Sequence, residues 1–307
     1  MNPTLVIAND IAFEEELTIS KSLTILGDGE TKFIGYNAVG SYNDAFYINT
    51  SAADQTVTIQ GIVFDHFCYY SDVANQTKAT ASGAINGVSV ITYAGACASS
   101  TTLNIIGCEV IGTGRDMINA SSSLGCAGTI NITDCTFDAT DRLSGTLNML
   151  SFYGKQAADL YVTIENCIFS EATEANTEWA TTAIASFGNA VITVDGCTFE
   201  DCQVAIGIDN TFDRLYTSVT YPVYVNTTCT LNDVTYVNCY FGYYEESIVA
   251  SVDDVPAGAE LASETAAALS GNKNAAYGNY YEYDIVENGT QGVDAKYLAI
   301  KSYYVAA

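Results

Sequence analysis

Acid–base and nucleophilic chemistry has few candidate side chains in this chain. His66 is the only histidine, and Cys68 is the cysteine nearest to it in the sequence. A nucleophile needs a base within hydrogen-bond reach, and two residues that are close in sequence do not by themselves make that arrangement. A single histidine is more often structural than catalytic, so we predict no catalytic residue at this place.

Carboxylates are abundant, with 36 Asp and Glu against ten Lys and Arg and a net charge of −26. Glycoside hydrolysis requires two carboxylates placed across a sugar ring. The sequence offers ten candidates: Asp116, Asp138, Asp141, Glu171, Glu174, Asp195, Glu200, Asp201, Asp209 and Asp213. Their number prevents the choice of one pair. The three arginines, Arg115, Arg142 and Arg214, each lie beside an aspartate, which predicts surface ion pairs.

Metal binding has only weak support in the sequence. Asp28 and Glu30 lie in one acidic loop, and Asp253 and Asp254 lie in another. Neither loop follows the twelve-residue EF-hand pattern. We therefore predict no cofactor, and calcium is the one metal that stays open.

An eight-residue sequence motif, called the phrase below, recurs along the chain. It indicates the secondary-structure elements that must position these side chains. Six copies begin at Val57, Leu103, Ile130, Val162, Ile192 and Val234, and a degenerate copy begins at Leu23. The first, third, sixth and eighth positions are mostly apolar, which is strand alternation with an interruption. The fifth residue is always Gly, Asn or Asp in the six copies, and these types tolerate positive φ. Each copy therefore predicts strand, corner, strand.

The copies begin between 27 and 46 positions apart, and no helical pattern fills the gaps. A parallel sheet without crossover helices has to coil on itself. Stacking the coils about 4.8 Å apart places like residues over like. One predicted inward column is Ile62, Cys108, Cys135, Cys167, Cys197 and Cys239; another is Phe64, Val110, Phe137, Phe169, Phe199 and Phe241. Metal ligands converge on a point, so cysteines strung along an axis indicate core packing.

Repeated Thr-Ile-x-Asn-Cys-x-Phe phrases resemble those of the right-handed parallel β-helix of the pectate-lyase-like superfamily, over roughly residues 17–245. The resemblance implies an all-β, right-handed solenoid of about seven coils at 23–250. Residues 1–22 would form an N-terminal cap, and 251–307 a C-terminal cap. That superfamily includes lyases, hydrolases, esterases, tailspikes and adhesins, so the resemblance implies no particular reaction. Its polysaccharide lyases act on polyanions, which a chain this acidic would repel.

The C-terminal cap has its own sequence pattern. Ala-rich residues 259–269, ended by Gly271, predict a short helix. Residues 277–283 and 296–305 predict tyrosine-rich strands, and 14 of the 22 tyrosines lie from Tyr216 onward. Tyrosine is enriched in contact surfaces. Two long insertions, at residues 65–102 and 203–233, separate copies of the phrase. The candidate ligand or assembly surface is drawn from these insertions and from the C-terminal end: Tyr69, Tyr70, Tyr216, Tyr221, Tyr224, Tyr280, Tyr281 and Tyr283.

Two cysteines outside the inward column are candidates for a disulfide. Cys97 and Cys126 fall six and four residues before their phrase copies, so we expect them near each other in adjacent coils. A disulfide there would place the protein outside the cytosol, at the cell surface or beyond it. No apolar run approaches the length of a membrane span, so no membrane insertion is expected.

Two functions are compatible with these patterns. The first is a non-catalytic extracellular or cell-surface module that serves as a rigid spacer, an adhesin or a self-assembling subunit. Its partners would be a cell-surface glycan or protein, or other copies of itself. The second is a carbohydrate-active hydrolase of neutral glycans that uses an Asp/Glu pair. The negative charge argues against nucleic acid as a partner in either case.

Overall fold

A computed structural model describes residues 2–13, 16–35, 44–67, 70–72, 77–78, 89–113, 116–120, 125–140, 148–155, 158–171, 182–202, 204–210, 227–239, 241–249, 280–287 and 296–304. Within these ranges the regular secondary structure consists of strands, without a helix. The predicted all-β fold is therefore confirmed for this part of the chain. The helix expected at 259–269 lies outside the described residues.

Three sheets, A, B and C, each contain eight strands that pair in parallel, and the chain visits them in the order A, B, C. Sheet A contains β1 (Thr4–Val6), β4 (Leu23–Leu26), β7 (Thr56–Gln60), β12 (Thr102–Ile106), β15 (Gly128–Thr133), β18 (Leu160–Glu165), β21 (Ala190–Asp195) and β24 (Thr228–Asn232). Sheet B contains β2 (Ile11–Phe13), β5 (Lys32–Gly35), β8 (Val63–Phe67), β13 (Glu109–Thr113), β16 (Thr136–Asp138), β19 (Ile168–Ser170), β22 (Thr198–Glu200) and β25 (Thr235–Val237). Sheet C contains β3 (Leu17–Ile19), β6 (Phe46–Ile48), β11 (Ile91–Tyr93), β14 (Ile118–Ala120), β17 (Asn148–Gly154), β20 (Thr182–Gly188), β23 (Val204–Asn210) and β26 (Phe241–Val249).

One passage of the chain through A, B and C is a coil, and successive coils stack as in a parallel β-helix. The sequence predicted about seven coils from Leu23 onward, and strands β1–β3 before that residue make a coil of their own. The insertion after β8 carries a small antiparallel pair, β9 (Tyr70–Asp72) and β10 (Thr77–Lys78). The proposed boundaries at residues 22 and 250 stay predictions.

The corner inside the five copies that begin at Val57, Leu103, Ile130, Val162 and Ile192 has the predicted backbone conformation. Its residues have φ between 54° and 63°: Gly61, Gly107, Asp134, Asn166 and Gly196. Sheets A and B therefore meet at a column of left-handed residues, which Gly, Asn and Asp adopt most readily. A second such column, which the sequence analysis did not predict, ends sheet B: His66, Gly112, Glu171, Asp201 and Asn238.

An aromatic column forms the centre of the core, as predicted for most of its members. Phe137 and Phe169 stack with ring centroids 5.0 Å apart, and Phe169 and Phe199 stack at 4.8 Å. Phe33 extends the column in the other direction and meets Phe64 edge to face at 5.6 Å. These phenylalanines are at most 1% exposed. They supply much of the apolar burial that stabilises the stack.

The last copy of the phrase was assigned to the wrong residues. Strand β24 pairs with β21 so that Cys229 lies beside Ile192, and β25 pairs with β22 so that Tyr236 lies beside Phe199. The true copy is therefore Cys229–Tyr236, five residues before the predicted one. The sequence Val-Asn-Cys-Tyr-Phe at the second corner imitates the phrase, because both corners place Asn or Asp before an inward residue.

This correction changes two inward columns. Val234, and not Cys239, continues the cysteine column, and Tyr236, and not Phe241, continues the aromatic column. Cys239 instead follows Asn238 at the second corner, as Cys202 follows Asp201 one coil earlier. The remaining thiol ladder consists of Cys108, Cys135, Cys167 and Cys197, all at most 2% exposed.

The thiol ladder satisfies backbone groups beside the corner. Each thiol shares its one proton between the carbonyl two residues earlier and a carbonyl of the preceding coil; for Cys167 these are Glu165 O at 3.2 Å and Ile132 O at 3.7 Å. The amide of Cys167 in turn donates to Cys197 Sγ at 3.4 Å. A small side chain that both donates and accepts suits this place, because a buried polar group without a partner is costly.

Sheet C continues past the last coil. Strand β28 (Lys296–Tyr304) pairs antiparallel with β26, and β27 (Tyr280–Glu287) pairs antiparallel with β28. Both strands overlap the segments 277–283 and 296–305 for which the sequence predicts tyrosine-rich strands, and their role as a C-terminal cap stays a prediction. The reversal of direction distinguishes this extension from the parallel stack that precedes it.

Candidate functional site

The tyrosines of the predicted surface fall into two groups. Tyr69, Tyr216, Tyr221 and Tyr224 lie outside the described residues. Tyr70 begins β9, and Tyr280, Tyr281 and Tyr283 lie in β27, which is the outermost strand of sheet C in the described sheet order. The structure thus places three of the eight tyrosines on one strand at the C-terminal end. Their role as a binding or assembly surface stays a prediction.

Cys97 and Cys126 do not form the predicted disulfide. Both are buried thiols, and each donates to a different carbonyl: Cys97 Sγ to Ile48 O and Cys126 Sγ to Tyr93 O, both at 3.3 Å. The two carbonyls belong to successive coils, so the expected placement in adjacent coils is confirmed while the covalent bond is not. Each thiol thus forms a hydrogen bond with a backbone carbonyl of the preceding coil and not a bond with the other thiol. Because this disulfide is not formed, these two cysteines support no inference about cellular location.

The outer face of sheet A carries a column of threonine and asparagine that runs through seven coils. Its members are in register from strand to strand: Thr24, Thr58, Asn104, Asn131, Thr163, Thr193 and Thr230. Asn131 Nδ2 donates to Asn104 Oδ1 at 2.9 Å, and Asn104 Nδ2 donates to Thr58 Oγ1 at 3.3 Å. These residues occupy the second position of the phrase. The sequence analysis identified the apolar positions of the phrase but did not recognise the second position as part of a surface.

The columns on either side of this Thr/Asn column differ in charge. One is uncharged: Thr56, Thr102, Thr129, Tyr161, Val191 and Thr228. Tyr161 is 49% exposed, and its hydroxyl donates to Asp159 Oδ2 at 3.1 Å, which fixes the ring on the face. The other column contains Glu165 and Asp195, which are neighbours on β18 and β21. Within its strands sheet A therefore presents a regular hydrogen-bonding face whose acidic groups lie in one column, while Asp159 reaches the opposite border from the residue before β18.

A second polar cluster lies on the outer face of sheet B. Asp65 accepts from Lys32 Nζ at 2.7 Å through Oδ2, and its Oδ1 lies 2.6 Å from His66 Nδ1. Burial alone would raise the pKa of Asp65, but the hydrogen bonds with Lys32 and His66 outweigh it and hold the pKa below its ordinary value. The hydrogen bond with Asp65 in turn raises the pKa of Lys32. The ion pair between Lys32 of β5 and Asp65 of β8 therefore links two successive coils.

The histidine of this cluster is enclosed between coils. His66 has a φ of 50°, and its side chain is 19% exposed. A β-carbon on Gly112 of the next coil would lie 2.9 Å from His66 Cδ2 and 3.2 Å from Nε2. The ring therefore packs directly over the glycine backbone. This position favours a structural role that links coils over one as a general base open to a substrate.

The candidate carboxylates are dispersed over the fold. Asp138, Asp195 and Glu200 lie in strands of sheets A and B, Glu171 and Asp201 lie at the second corner, Asp209 lies in β23, and Asp116 is 4% exposed beside sheet C. Asp141, Glu174, Asp213 and the three arginines lie outside the described residues. Among the described residues, three pairs of acids are neighbours on successive coils: Glu165 and Asp195, Asp209 and Glu246, and Glu171 and Asp201 at the second corner. Glu165 and Glu246 did not belong to the predicted set.

The first of the two acidic loops uses its carboxylate within the loop. Asp28 Oδ1 accepts from the amides of Glu30 at 3.0 Å and Thr31 at 2.8 Å and from the Thr31 hydroxyl at 2.8 Å. The Glu30 amide is the main cause of the lowered pKa of Asp28. Across the described ranges, no group of three or more His, Cys, Asp or Glu is placed to hold a metal ion. Asp253 and Asp254 lie outside those ranges.

The fold and the outer face of sheet A define an all-β protein of the parallel β-helix type with a regular polar sheet. Comparison with family models, with curated proteins and with solved structures finds no match. Among the residues that the structure describes, no helix has the length and apolar character needed to cross a membrane.

Proposed function

We propose that this chain is a non-catalytic extracellular or cell-surface module in which the β-helix is a rigid support and the outer face of sheet A binds a partner. The Thr/Asn column is the observation that carries the proposal. It repeats hydrogen-bonding groups about every 4.8 Å along the stack, beside the exposed ring of Tyr161. Repeated neutral groups on a stiff support suit a repeated or extended partner.

The partner is a glycan or protein of a cell surface, or another copy of the chain. The net charge of −26 disfavours polyanionic partners, since the field of the whole molecule repels them. The uncharged columns of sheet A favour a neutral one. The finer fold assignment belongs to the same proposal: a right-handed helix of the pectate-lyase-like superfamily, capped at 251–307, as its phrases and its tyrosine-rich end suggest.

Screening the purified chain against an array of neutral and charged glycans tests the proposal. We expect a neutral glycan to bind and Thr163→Glu, at the centre of the Thr/Asn column, to weaken that binding at least about tenfold, the effect of 1.4 kcal/mol. Thr198→Glu on the outer face of sheet B is the matched control and should bind as the unchanged chain does. Binding that Thr163→Glu leaves intact would contradict a role for sheet A.

Electron microscopy separates adhesion from assembly. Isolated rods would exclude the self-assembling variant, whereas rods joined through their ends would support partner copies bound by strand addition. The glycan array and the microscopy are independent of each other. Absence of both glycan binding and assembly would remove the support for a binding module.

Glu165 and Asp195 support the second candidate, a glycoside hydrolase. Their strands are neighbours in register, so their backbones lie about 4.8 Å apart, and retaining glycosidases hold their two carboxyls about 5–5.5 Å apart. Product analysis with neutral oligosaccharides tests this directly. Cleavage that Glu165→Gln and Asp195→Asn each abolish would establish the hydrolase; lack of cleavage by the unchanged chain would leave the binding module.

A further inference from the structure

Cys202 and Cys239 occupy equivalent places in the last two coils. Strands β22 and β25 pair with Glu200 beside Val237, and the Asp201 amide donates to Val237 O at 2.9 Å. Asp201 and Asn238 then turn the chain with φ of 51° and 53°. The same backbone step therefore leads into both cysteines and stacks them on neighbouring coils.

Their side chains follow the same path. Each thiol lies between a carbonyl of its own coil and one of the preceding coil: Cys239 Sγ is 3.6 Å from Val237 O and 3.4 Å from Phe199 O, and Cys202 Sγ is 3.4 Å from Glu200 O and 3.9 Å from Phe169 O. A hydrogen bond with the Cys202 side chain is the largest cause of the lowered pKa of Cys239. Neighbouring coils lie about 4.8 Å apart, which is inside the Cα separation of about 4.4–6.8 Å that disulfides span.

This pair differs from the thiol ladder in its surroundings. Cys135 and Cys167 have a thiol neighbour on both sides and lie between complete coils. Cys239 belongs to the last coil of sheets A and B, where the inward residues Leu231, Val234 and Tyr236 are only partly buried. Cys239 is 5% and Cys202 2% exposed, so thiol exchange there requires the last coil to open locally, which its incomplete packing favours.

We propose that Cys202 and Cys239 form a redox-modification site at which a small-molecule disulfide links the last two coils. The Cys239 sulfur attacks oxidised glutathione and releases one reduced glutathione, which leaves a mixed disulfide on the protein. The Cys202 sulfur then attacks Cys239 Sγ and displaces the second glutathione. The two thiol protons end on the two glutathiones, the protein is oxidised by two electrons and glutathione is reduced by two.

Oxidation of the full chain with graded ratios of oxidised to reduced glutathione tests the proposal. Remaining thiols are alkylated, and the chain is digested without reduction and analysed by mass spectrometry. We expect a Cys202–Cys239 linked peptide to form at a lower ratio than any linkage within the thiol ladder. We also expect the linked chain to unfold at a higher urea concentration, since the bond constrains the unfolded state.

Variants give the matched controls. Cys202→Ser and Cys239→Ser should each remove the linked peptide, whereas Cys167→Ser removes a ladder thiol and should leave it. The measurement on the unchanged chain decides the matter even if a variant fails to fold. Earlier formation of any other linkage, or a product that stops at mixed disulfides with glutathione, would overturn the proposal.

Discussion

The ring of Tyr236 stacks on the ring of Phe199, with centroids 5.7 Å apart and planes inclined by 25°. Tyr236 thereby extends the aromatic column of Phe137, Phe169 and Phe199 into the last coil. The contact shows that the last coil repeats the packing of the coils before it. Stability should accordingly depend on this column more than on residues of the outer faces.

Phe169→Ala should be among the most destabilising substitutions in the chain. The ring is fully buried between Phe137 and Phe199, so its removal leaves a cavity that the rigid stack cannot close. We expect a loss of about 3–5 kcal/mol in the free energy of unfolding, measured by urea denaturation. The neighbouring residue provides the control: Ile168 is 44% exposed, and Ile168→Ala should cost less than about 1 kcal/mol. Similar losses for both would contradict the column.

Gly107 and Gly112 make a second matched pair, because both have positive φ but only one has space for a side chain. A β-carbon on Gly107 would meet nothing within 4 Å, whereas one on Gly112 would lie 3.0 Å from Thr140 O and closer to His66. Gly112→Ala should therefore cost more than the about 1–2 kcal/mol of a left-handed residue alone.

Gly107→Asn should change the free energy of unfolding by less than about 0.5 kcal/mol. Asn166 already occupies the equivalent corner in another coil with a φ of 54°. Thermal denaturation of both glycine variants measures the contrast. A large loss at Gly107 would show that the corner has a steric demand beyond its backbone conformation.

The Lys32–Asp65 pair predicts a dependence of stability on acid. A carboxyl whose pKa is lower in the folded state contributes stability that is full above the unfolded value of about 3.9. That contribution is lost as pH falls through the folded pKa. Lys32→Met should thus move the acid-unfolding midpoint to higher pH and cost at most about 1 kcal/mol at neutral pH. Lys21→Met, at another exposed lysine, should leave the midpoint in place; an unchanged midpoint for Lys32→Met would refute the pair.

The thiols should differ in their reaction with iodoacetamide. The hydrogen bond with Cys135 and burial raise the pKa of Cys108 well above its ordinary value, and the whole ladder is buried. Cys229 is only partly buried at the first position of the last coil. We expect Cys229 to be labelled at least about tenfold faster than any ladder thiol, because reaction requires an accessible thiolate. Mass spectrometry after timed labelling measures the rates, and equal rates would contradict a sealed core.

The phrase was sufficient to predict the strands, the corner and the inward columns. Alternation of apolar and polar residues identifies the strands, and Gly, Asn or Asp identifies the left-handed corner. The phrase failed at Val234, where the second corner carries nearly the same letters as the first. The cluster of Lys32, Asp65 and His66 could not be predicted from the sequence, because Lys32 meets the other two only after two coils stack. The predicted disulfide failed because proximity in adjacent coils does not specify where a thiol is directed.

Hydrogen bonds between coils lie along the axis of the solenoid in all three sheets. Tension between the two ends would load them in series, and each coil touches only its neighbours. Under such a pull the molecule should come apart by peeling, one coil after another from an end, at forces set by a single interface. A chain built this way resists bending, but under tension it lengthens in steps as one coil after another unfolds.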